Sequence, residues 1–294
     1  MEFPGKKVSE LILNELKREI RRLKKKTPLK LVIFLVGESP DQLSFIRMKS
    51  EMGKKLGIKC DVEYLKNIPT YEQFMRCLKE KYQDPETTGL VIQQPVPAQL
   101  STSSFYDYIP NEKEIEGHKK KSYFVPPIGL AILTVFKYVF GKGKVDRNLL
   151  VDFEADRSFF KRTFRNKKVV LVGRGITGGS PIGKTLSEMK INYFSVGSAT
   201  PEPEVYIKES DVVITAVGKK IIDPALLKRG VVLINVGLRQ ENGKLRGDYE
   251  ESEVRDIASF YTSTPGGVGP IDVLYLFKNL IEAARIQKKM KRIH

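Results

Sequence analysis

Two groups of residues in this 294-residue chain have types and spacings that do chemistry. The first is Lys168-Val169-Val170-Leu171-Val172-Gly173-Arg174-Gly175-Ile176-Thr177-Gly178-Gly179-Ser180-Pro181, an apolar β-branched run feeding a glycine cluster, with a helical segment from Ile182 to Met189 behind it. Strand, glycine turn and helix in that order are what a dinucleotide site requires. Gly173, Gly175, Gly178 and the adjoining Gly179 let the backbone turn tightly and approach a pyrophosphate, whose charge meets N–H groups at a helix N-terminus. The bland alternative is a structural turn.

The second group centres on Lys49. At 100° per residue, Phe45, Met48, Met52 and Leu56 form one apolar stripe with Lys49 inside it, and Arg47, Ser50, Glu51, Lys54 and Lys55 lie opposite. A lysine so placed either snorkels to the rim or sits in a cleft with a shifted pKa. Open parallel sheets bind ligands beyond the carboxyl ends of their strands. Val36-Gly37-Glu38-Ser39-Pro40 leads from one such end into the Lys49 helix, and Gln93-Gln94-Pro95 lies at another. A lysine and an amide would thus converge on one small molecule.

The strand after the glycine turn, Asn192 to Val196, ends in Gly197-Ser198-Ala199-Thr200, without the Asp or Glu that usually holds a ribose diol. Ser198 offers a small hydroxyl instead, and the Arg174 guanidinium suits a 2′-phosphate. This favours NADP over NAD, against the alternative that Arg174 is solvated and Ser198 merely starts a turn.

The elements that position these groups alternate. Val8, Leu11, Ile12, Leu16, Ile20 and Leu23 recur at helical spacing, Leu31 to Val36 reads as a buried strand, and a helix follows from about Gln42. Asp61 to Leu65 and Gly89 to Gln93 read as strands, and Thr70-Tyr71-Glu72-Gln73 as a capping box opening a helix to about Lys81. Gln94-Pro95-Val96-Pro97 must be extended. After a helix at 129–140 comes a charged excursion, 141–166, and then strands at 169–172, 192–196, 212–216 and 231–236. The fold class is α/β in two domains, a parallel-sheet domain and a Rossmann-like dinucleotide domain. The first covers residues 1–140, with a C-terminal helix at 270–290 packing back onto it, and the second covers 141–269.

Bulk properties narrow the partners. The chain shows no secretory pattern at its start and no apolar run long enough to span a bilayer. Cys60 and Cys77 lack metal or redox spacing, so both read as reduced thiols of a cytoplasmic protein, with no metal site. The net charge of +16 gathers at Lys17 to Lys26, Lys119 to Lys121 and Lys288 to Arg292. These runs are not interleaved with stacking aromatics, so a nucleic-acid partner is not expected; solvated helix faces and attraction for small anions suffice.

The chain resembles the bifunctional methylenetetrahydrofolate dehydrogenase/cyclohydrolases through nearly its whole length, apart from 141–166. Leu35 to Pro40 is similar to that family's first strand-end segment. Phe45-Ile46-Arg47-Met48-Lys49 aligns with its Tyr-Val-x-x-Lys, and Gly89 to Pro97 with its Gly-x-x-Val-Gln-Leu-Pro-Leu-Pro. Lys113-Glu114-Ile115-Glu116-Gly117 stands at its Lys-Asp-Val-Asp-Gly, Gly173 to Pro181 resembles its Gly-Arg-Ser-x-x-Val-Gly-x-Pro turn, and Pro265-Gly266-Gly267-Val268-Gly269-Pro270 matches its closing motif unchanged.

The resemblance implies two reactions on one tetrahydrofolate: NADP-linked oxidation of the 5,10-methylene form to 5,10-methenyl, then hydrolysis to 10-formyl. It implies Lys49 as general acid/base, Gln93 positioning it, and Glu116 accepting pterin N–H groups. Phe45 would stack on the pterin, Pro265, Gly266, Gly267 and Val268 would border the substrate, and Arg174 and Ser198 would hold the NADP phosphate. It further implies a homodimer joined through the cofactor domain. Polyanionic folates suit the basic surface.

Departures from the pattern fall mainly on the substrate side. Phe45 lacks the family's tyrosine hydroxyl, Glu116 is one methylene longer than Asp, and Phe124-Val125-Pro126-Pro127 replaces Pro-Cys-Thr-Pro. Ile271-Asp272 replaces Met-Thr after Pro270, and Asn235 replaces an Asp. Hydride transfer mainly needs alignment, so a weakened cyclohydrolase is expected. The alternative is a family member that binds nucleotide or folate without turnover.

Overall fold

A computed structural model describes residues 1–294 except 24–28, 38, 101, 103 and 292–294. Glu38 of the strand-end segment, and Lys24 to Lys26 and Arg292 of the basic runs, lie outside the described residues. In chain order the helices and strands are α1 (Gly5–Leu23), β1 (Lys30–Val36), α2 (Pro40–Leu56), β2 (Lys59–Leu65), α3 (Tyr71–Gln83), β3 (Gly89–Ile92), α4 (Ser104–Tyr108), α5 (Pro127–Phe140), α6 (Arg157–Phe164) and β4 (Val169–Val172). Then come α7 (Gly179–Glu188), β5 (Phe194–Val196), α8 (Pro203–Lys208), β6 (Val212–Thr215), β7 (Val232–Asn235), β8 (Arg239–Glu241), β9 (Lys244–Arg246), α9 (Glu251–Val254), β10 (Phe260–Tyr261) and α10 (Gly269–Met290).

The chain divides into two compact units: residues 13–127 with 273 onward, and residues 1–12 with 128–272. In the first, β1 is the central strand of a parallel sheet ordered β2-β1-β3. β1 is buried along nearly its whole length, as a strand covered on both faces must be. Its alternate residues Val32, Phe34 and Val36 pack with Phe74 and Leu78 of α3 and with Phe105, Tyr106 and Ile109. The Thr70–Gln73 capping box opens α3: the Thr70 hydroxyl accepts from Gln73 N, and the Gln73 side chain accepts from Thr70 N.

The second unit holds a five-stranded parallel sheet ordered β10-β7-β6-β4-β5, plus the antiparallel hairpin β8-β9. From β4 the chain goes to β5 on one side and then to β6 on the other, so the strand order reverses at β4. The glycine cluster therefore stands at the topological switch point, where such sheets bind ligands.

The unit division differs from the sequence expectation at both ends of the first domain. Residues 128–140 belong to the five-stranded unit because α5 packs there. Gly129 lies so close to Thr185 that a Cβ would sit 1.9 Å from its Oγ1, the Phe136 and Phe164 rings are 4.5 Å apart, and the Lys137 ammonium donates to Leu150 O. Residues 1–12 follow because Phe3 N donates to Tyr261 O and Gly5 abuts the Gly266 carbonyl. The excursion at 141–166 holds α6, which buries Phe160 and Phe164 one turn apart.

Candidate active site

The lysine site grows from three segments of the three-stranded unit. Ser39 caps α2, its hydroxyl accepting from Gln42 N, and the buried Gln42 side chain donates to Pro95 O at 2.7 Å. That bond ties the first turn of α2 to the loop after β3. Further along, α2 approaches β2 closely at Gly53, where a Cβ would lie 2.3 Å from Cys60 Sγ. Close approach at the smallest residue sets the helix rotation. Among the described side chains of α2 the buried positions are Gln42, Ile46, Gly53 and Leu56, whereas Phe45, Met48 and Met52 are half-buried. The inward face is thus turned by roughly 80° from the apolar stripe read in the sequence, at 100° per residue. Lys49 lies within the inward face in either frame.

Gln93 follows β3 and is 6% exposed, its backbone N–H donating to Phe34 O. Its side-chain NH₂ is committed to Gln94 O at 3.0 Å, which turns the amide oxygen outward to accept from Lys49 Nζ at 2.9 Å. Glu116 reaches the same place by another route. Residues 113–116 run beside β3, with Leu90 N donating to Lys113 O and a parallel bridge between Leu90 and Glu114. Asn279 of α10 then donates to Ile115 O and Val125 O, clamping the loop around Glu116. Glu116 Oε1 stands 4.0 Å from Lys49 Nζ, and Oε2 stands 3.7 Å from His118 Nε2. Burial alone would raise the Glu116 carboxyl, but His118, Lys49 and the Ile92 N–H outweigh it and hold the group below its ordinary value. Glu116 is therefore an anion at neutral pH. Lys49, Gln93 and Glu116 stand together, and Phe45 is half-buried one turn before Lys49 on α2.

In the five-stranded unit, Gly173 follows β4 at φ +112°, and a Cβ on Gly179 would lie 1.9 Å from Gly173 O. Neither position accepts a side chain. Gly178 caps α7 and packs on Ala216, and Gly175 faces open space. This cradle fits a pyrophosphate at a helix N-terminus. Arg174 is exposed, with its guanidinium donating to Ser195 O at 2.8 Å, to Ser195 Oγ at 3.2 Å and to Thr200 Oγ1 at 3.4 Å. Ser198 is exposed at the tip of the 197–200 turn. Ser195, on β5, and Thr200, in the turn after it, steer the guanidinium and carry no spacing signal of their own.

Pro265 and Gly266 are exposed, and Gly267 and Val268 buried, in the turn from β10 into α10, all within the five-stranded unit. Asn235, the family departure at the end of β7, is fully engaged. Its Nδ2 donates to Gly237 O and Thr264 Oγ1, and its Oδ1 accepts from Thr215 Oγ1 and Asp248 N. Asp248, unremarked in the sequence, accepts from the N–H groups of Val217, Gly218 and Lys219 and pins the loop after β6. Among the described residues no group of three or more His, Cys, Asp or Glu is arranged to hold a metal, and no helix is long and apolar enough to cross a membrane.

A parallel sheet with a glycine cradle at its switch point, and beside it in the chain a unit carrying a buried lysine–amide–carboxylate cluster, define a dinucleotide-dependent enzyme of two units. Comparison makes this specific. Residues 3–116 match the tetrahydrofolate dehydrogenase/cyclohydrolase catalytic domain, and residues 158–288 match the NAD(P)-binding domain of the same family. The chain belongs to this family of bifunctional enzymes. It is 28% identical over 300 residues to the bifunctional protein FolD of Staphylococcus carnosus (strain TM300), covering 98% of each chain. Among solved structures, it superposes on a 5,10-methylenetetrahydrofolate dehydrogenase from the silkworm Bombyx mori with a TM-score of 0.78 and 27% identity, covering 97% of this chain and 98% of that one. The fold also matches the bifunctional FolD enzyme of Campylobacter jejuni, with a TM-score of 0.82 and 24% identity over 98% of this chain and 99% of that one.

Proposed function

We propose that this enzyme oxidises 5,10-methylenetetrahydrofolate to the 5,10-methenyl form with NADP and hydrolyses the product to 10-formyltetrahydrofolate. The observation that carries the reading is the Lys49–Gln93 hydrogen bond of 2.9 Å with the Glu116 carboxylate 4.0 Å away.

Hydrolysis needs a proton taken from the water that adds to the methenyl carbon and a proton given to the ring nitrogen that leaves. One amine held at a fixed point serves both transfers. Gln93 fixes that point, since its NH₂ is tied to the backbone and only its oxygen faces Lys49. Glu116, ionised, accepts pterin N–H groups, and Phe45 offers a ring face for stacking in place of a hydroxyl. The intact lysine–amide pair supports turnover over a merely binding descendant.

On the other unit, Gly173, Gly175, Gly178 and Gly179 would hold the pyrophosphate at the start of α7, and Arg174 the 2′-phosphate, which is the basis for NADP over NAD. When bound, the dinucleotide supplies the hydride acceptor. A cytoplasmic location fits two unpaired thiols, with Cys60 pushed up to about 11 by burial and by Asp61. A homodimer through the five-stranded unit fits its free edge: β5 is outermost, and the stacked rings of Phe194 and Tyr206 are 42% and 36% exposed beside Val205 at 46%.

The test is absorbance on mixing the purified protein with 5,10-methylenetetrahydrofolate and NADP or NAD. Reduced nucleotide should appear, faster with NADP, and the methenyl band should decay faster than without protein. No reduced nucleotide with either cofactor would refute the dehydrogenase.

A further inference from the structure

Glu116 is the longest-reaching departure on the substrate side, and a histidine stands against it. The loop reverses at Gly117, φ +77°, which sets His118 beside the residue two before it. The Glu116 carboxylate is bracketed by two nitrogen groups, His118 Nε2 at 3.7 Å from Oε2 and Lys49 Nζ at 4.0 Å from Oε1. Both separations are ion-pair distances, longer than hydrogen bonds. All three side chains are largely buried, at 13%, 19% and 12% exposure for His118, Glu116 and Lys49.

The imidazole is located by packing as well as by its nearness to Glu116. The Tyr106 ring of α4 lies against it, with centroids 4.3 Å apart, and the Tyr106 hydroxyl accepts from Gln94 Nε2. Burial and the neighbouring Glu116 push the Tyr106 phenol well above its ordinary value, so it stays neutral. The other charged groups of this loop have partners of their own. Glu114 accepts from the N–H groups of Glu116 and Lys119 and from the Ser122 hydroxyl, and the Lys119 ammonium donates to Asp107 O and Ile109 O.

We infer that His118 is a positioning residue, which holds one oxygen of the long Glu116 side chain and so keeps the carboxylate from closing onto Lys49. A carboxylate drawn into contact with the ammonium would stabilise the charged lysine and hold its proton. It would also compete with Gln93 for Nζ. With Oε2 held, Lys49 stays on Gln93 and remains able to give up its proton, and Glu116 stays poised for substrate N–H groups. The inference rests on Lys49 as the general acid/base of the hydrolysis.

The experiment is a double-mutant cycle of His118→Gln and Glu116→Asp, with both activities measured across pH and Lys49→Gln run alongside. In His118→Gln, the ratio of hydrolysis to hydride transfer should fall about tenfold, and the rising limb of hydrolysis against pH should move up by about one unit. In the Glu116→Asp background the same change should alter the ratio less than about twofold, because the shorter carboxylate cannot close on Lys49. His118→Asn gives the same readings if the glutamine does not fold against Tyr106. Equal loss of both activities with the limb in place, or an undiminished effect in the Asp background, would overturn the role of His118. Hydrolysis that survives Lys49→Gln would overturn the lysine assignment, and this inference with it. Hydrolysis lost in Lys49→Gln with an unmoved His118→Gln profile would remove His118 alone.

Discussion

At the end of β4 the proposed dinucleotide surface is backbone. Gly173 adopts φ +112°, Gly179 has no room for a Cβ, and the Arg174 guanidinium is steered by one carbonyl and two hydroxyls. Beyond β1 and β3 the proposed folate surface is side chain. Lys49, Gln93 and Glu116 come from a helix, a strand end and a loop and meet through contacts of 2.9 and 4.0 Å. A backbone site survives only if particular positions stay glycine. A side-chain site can accommodate replacement of one member when a neighbour compensates, which is the role we infer for His118 beside Glu116.

Changes on either side should separate the two activities. The largest effect is expected from Lys49→Gln. It removes the only proton carrier proposed for hydrolysis, and should lower that rate about 1,000-fold while hydride transfer persists, read from methenyl decay and nucleotide reduction on one preparation. Gly179→Ala comes next. A Cβ 1.9 Å from Gly173 O must displace the turn, so nucleotide reduction should fall about 100-fold, with hydrolysis of supplied methenyltetrahydrofolate far less affected. Arg174→Ala should weaken NADP about tenfold and NAD little, as the ratio of their KM values reports; equal weakening would mean that Arg174 does not read the 2′-phosphate.

The smallest effect is on stability. Asp84, at the turn entering β3, accepts from Glu86 N, Lys30 Nζ and Thr87 Oγ1. The Glu86 N–H first and then Lys30 hold its carboxyl down to about 2, from 3.8. A depressed carboxyl stabilises the fold above its unfolded value and loses that contribution as pH falls through the folded one. Asp84→Asn should therefore cost about 1 kcal/mol at pH 7, allowing for solvent screening, with the gap closing between about pH 4 and pH 2. Urea midpoints at the two extremes check it.

The sequence was most informative where sterics leave one choice. Glycines at Gly173 and Gly179 announce a turn that no other residue makes, and Thr70 with Gln73 announces a helix start. Lys49 was visible as a charge in an apolar stripe, although the packing face is set by Gly53 rather than by the large residues beside it. His118 was not visible. Its nearness to Glu116 depends on the reversal at Gly117 and on the Tyr106 ring, and neither has a periodic pattern. Ser195 and Thr200, which hold the Arg174 guanidinium, were hidden for a related reason: one lies on β5 and the other closes the turn after it, and no spacing pattern links them to Arg174. β10, with two residues, and α6, with eight, are too short for periodicity to declare.

The most direct test is to measure both rates side by side on Lys49→Gln and Gly179→Ala. Crossed losses are predicted: hydrolysis gone and hydride transfer retained in the first, hydride transfer gone and hydrolysis retained in the second. Parallel losses of both activities in both variants would contradict a division of the two reactions between a side-chain site and a backbone site.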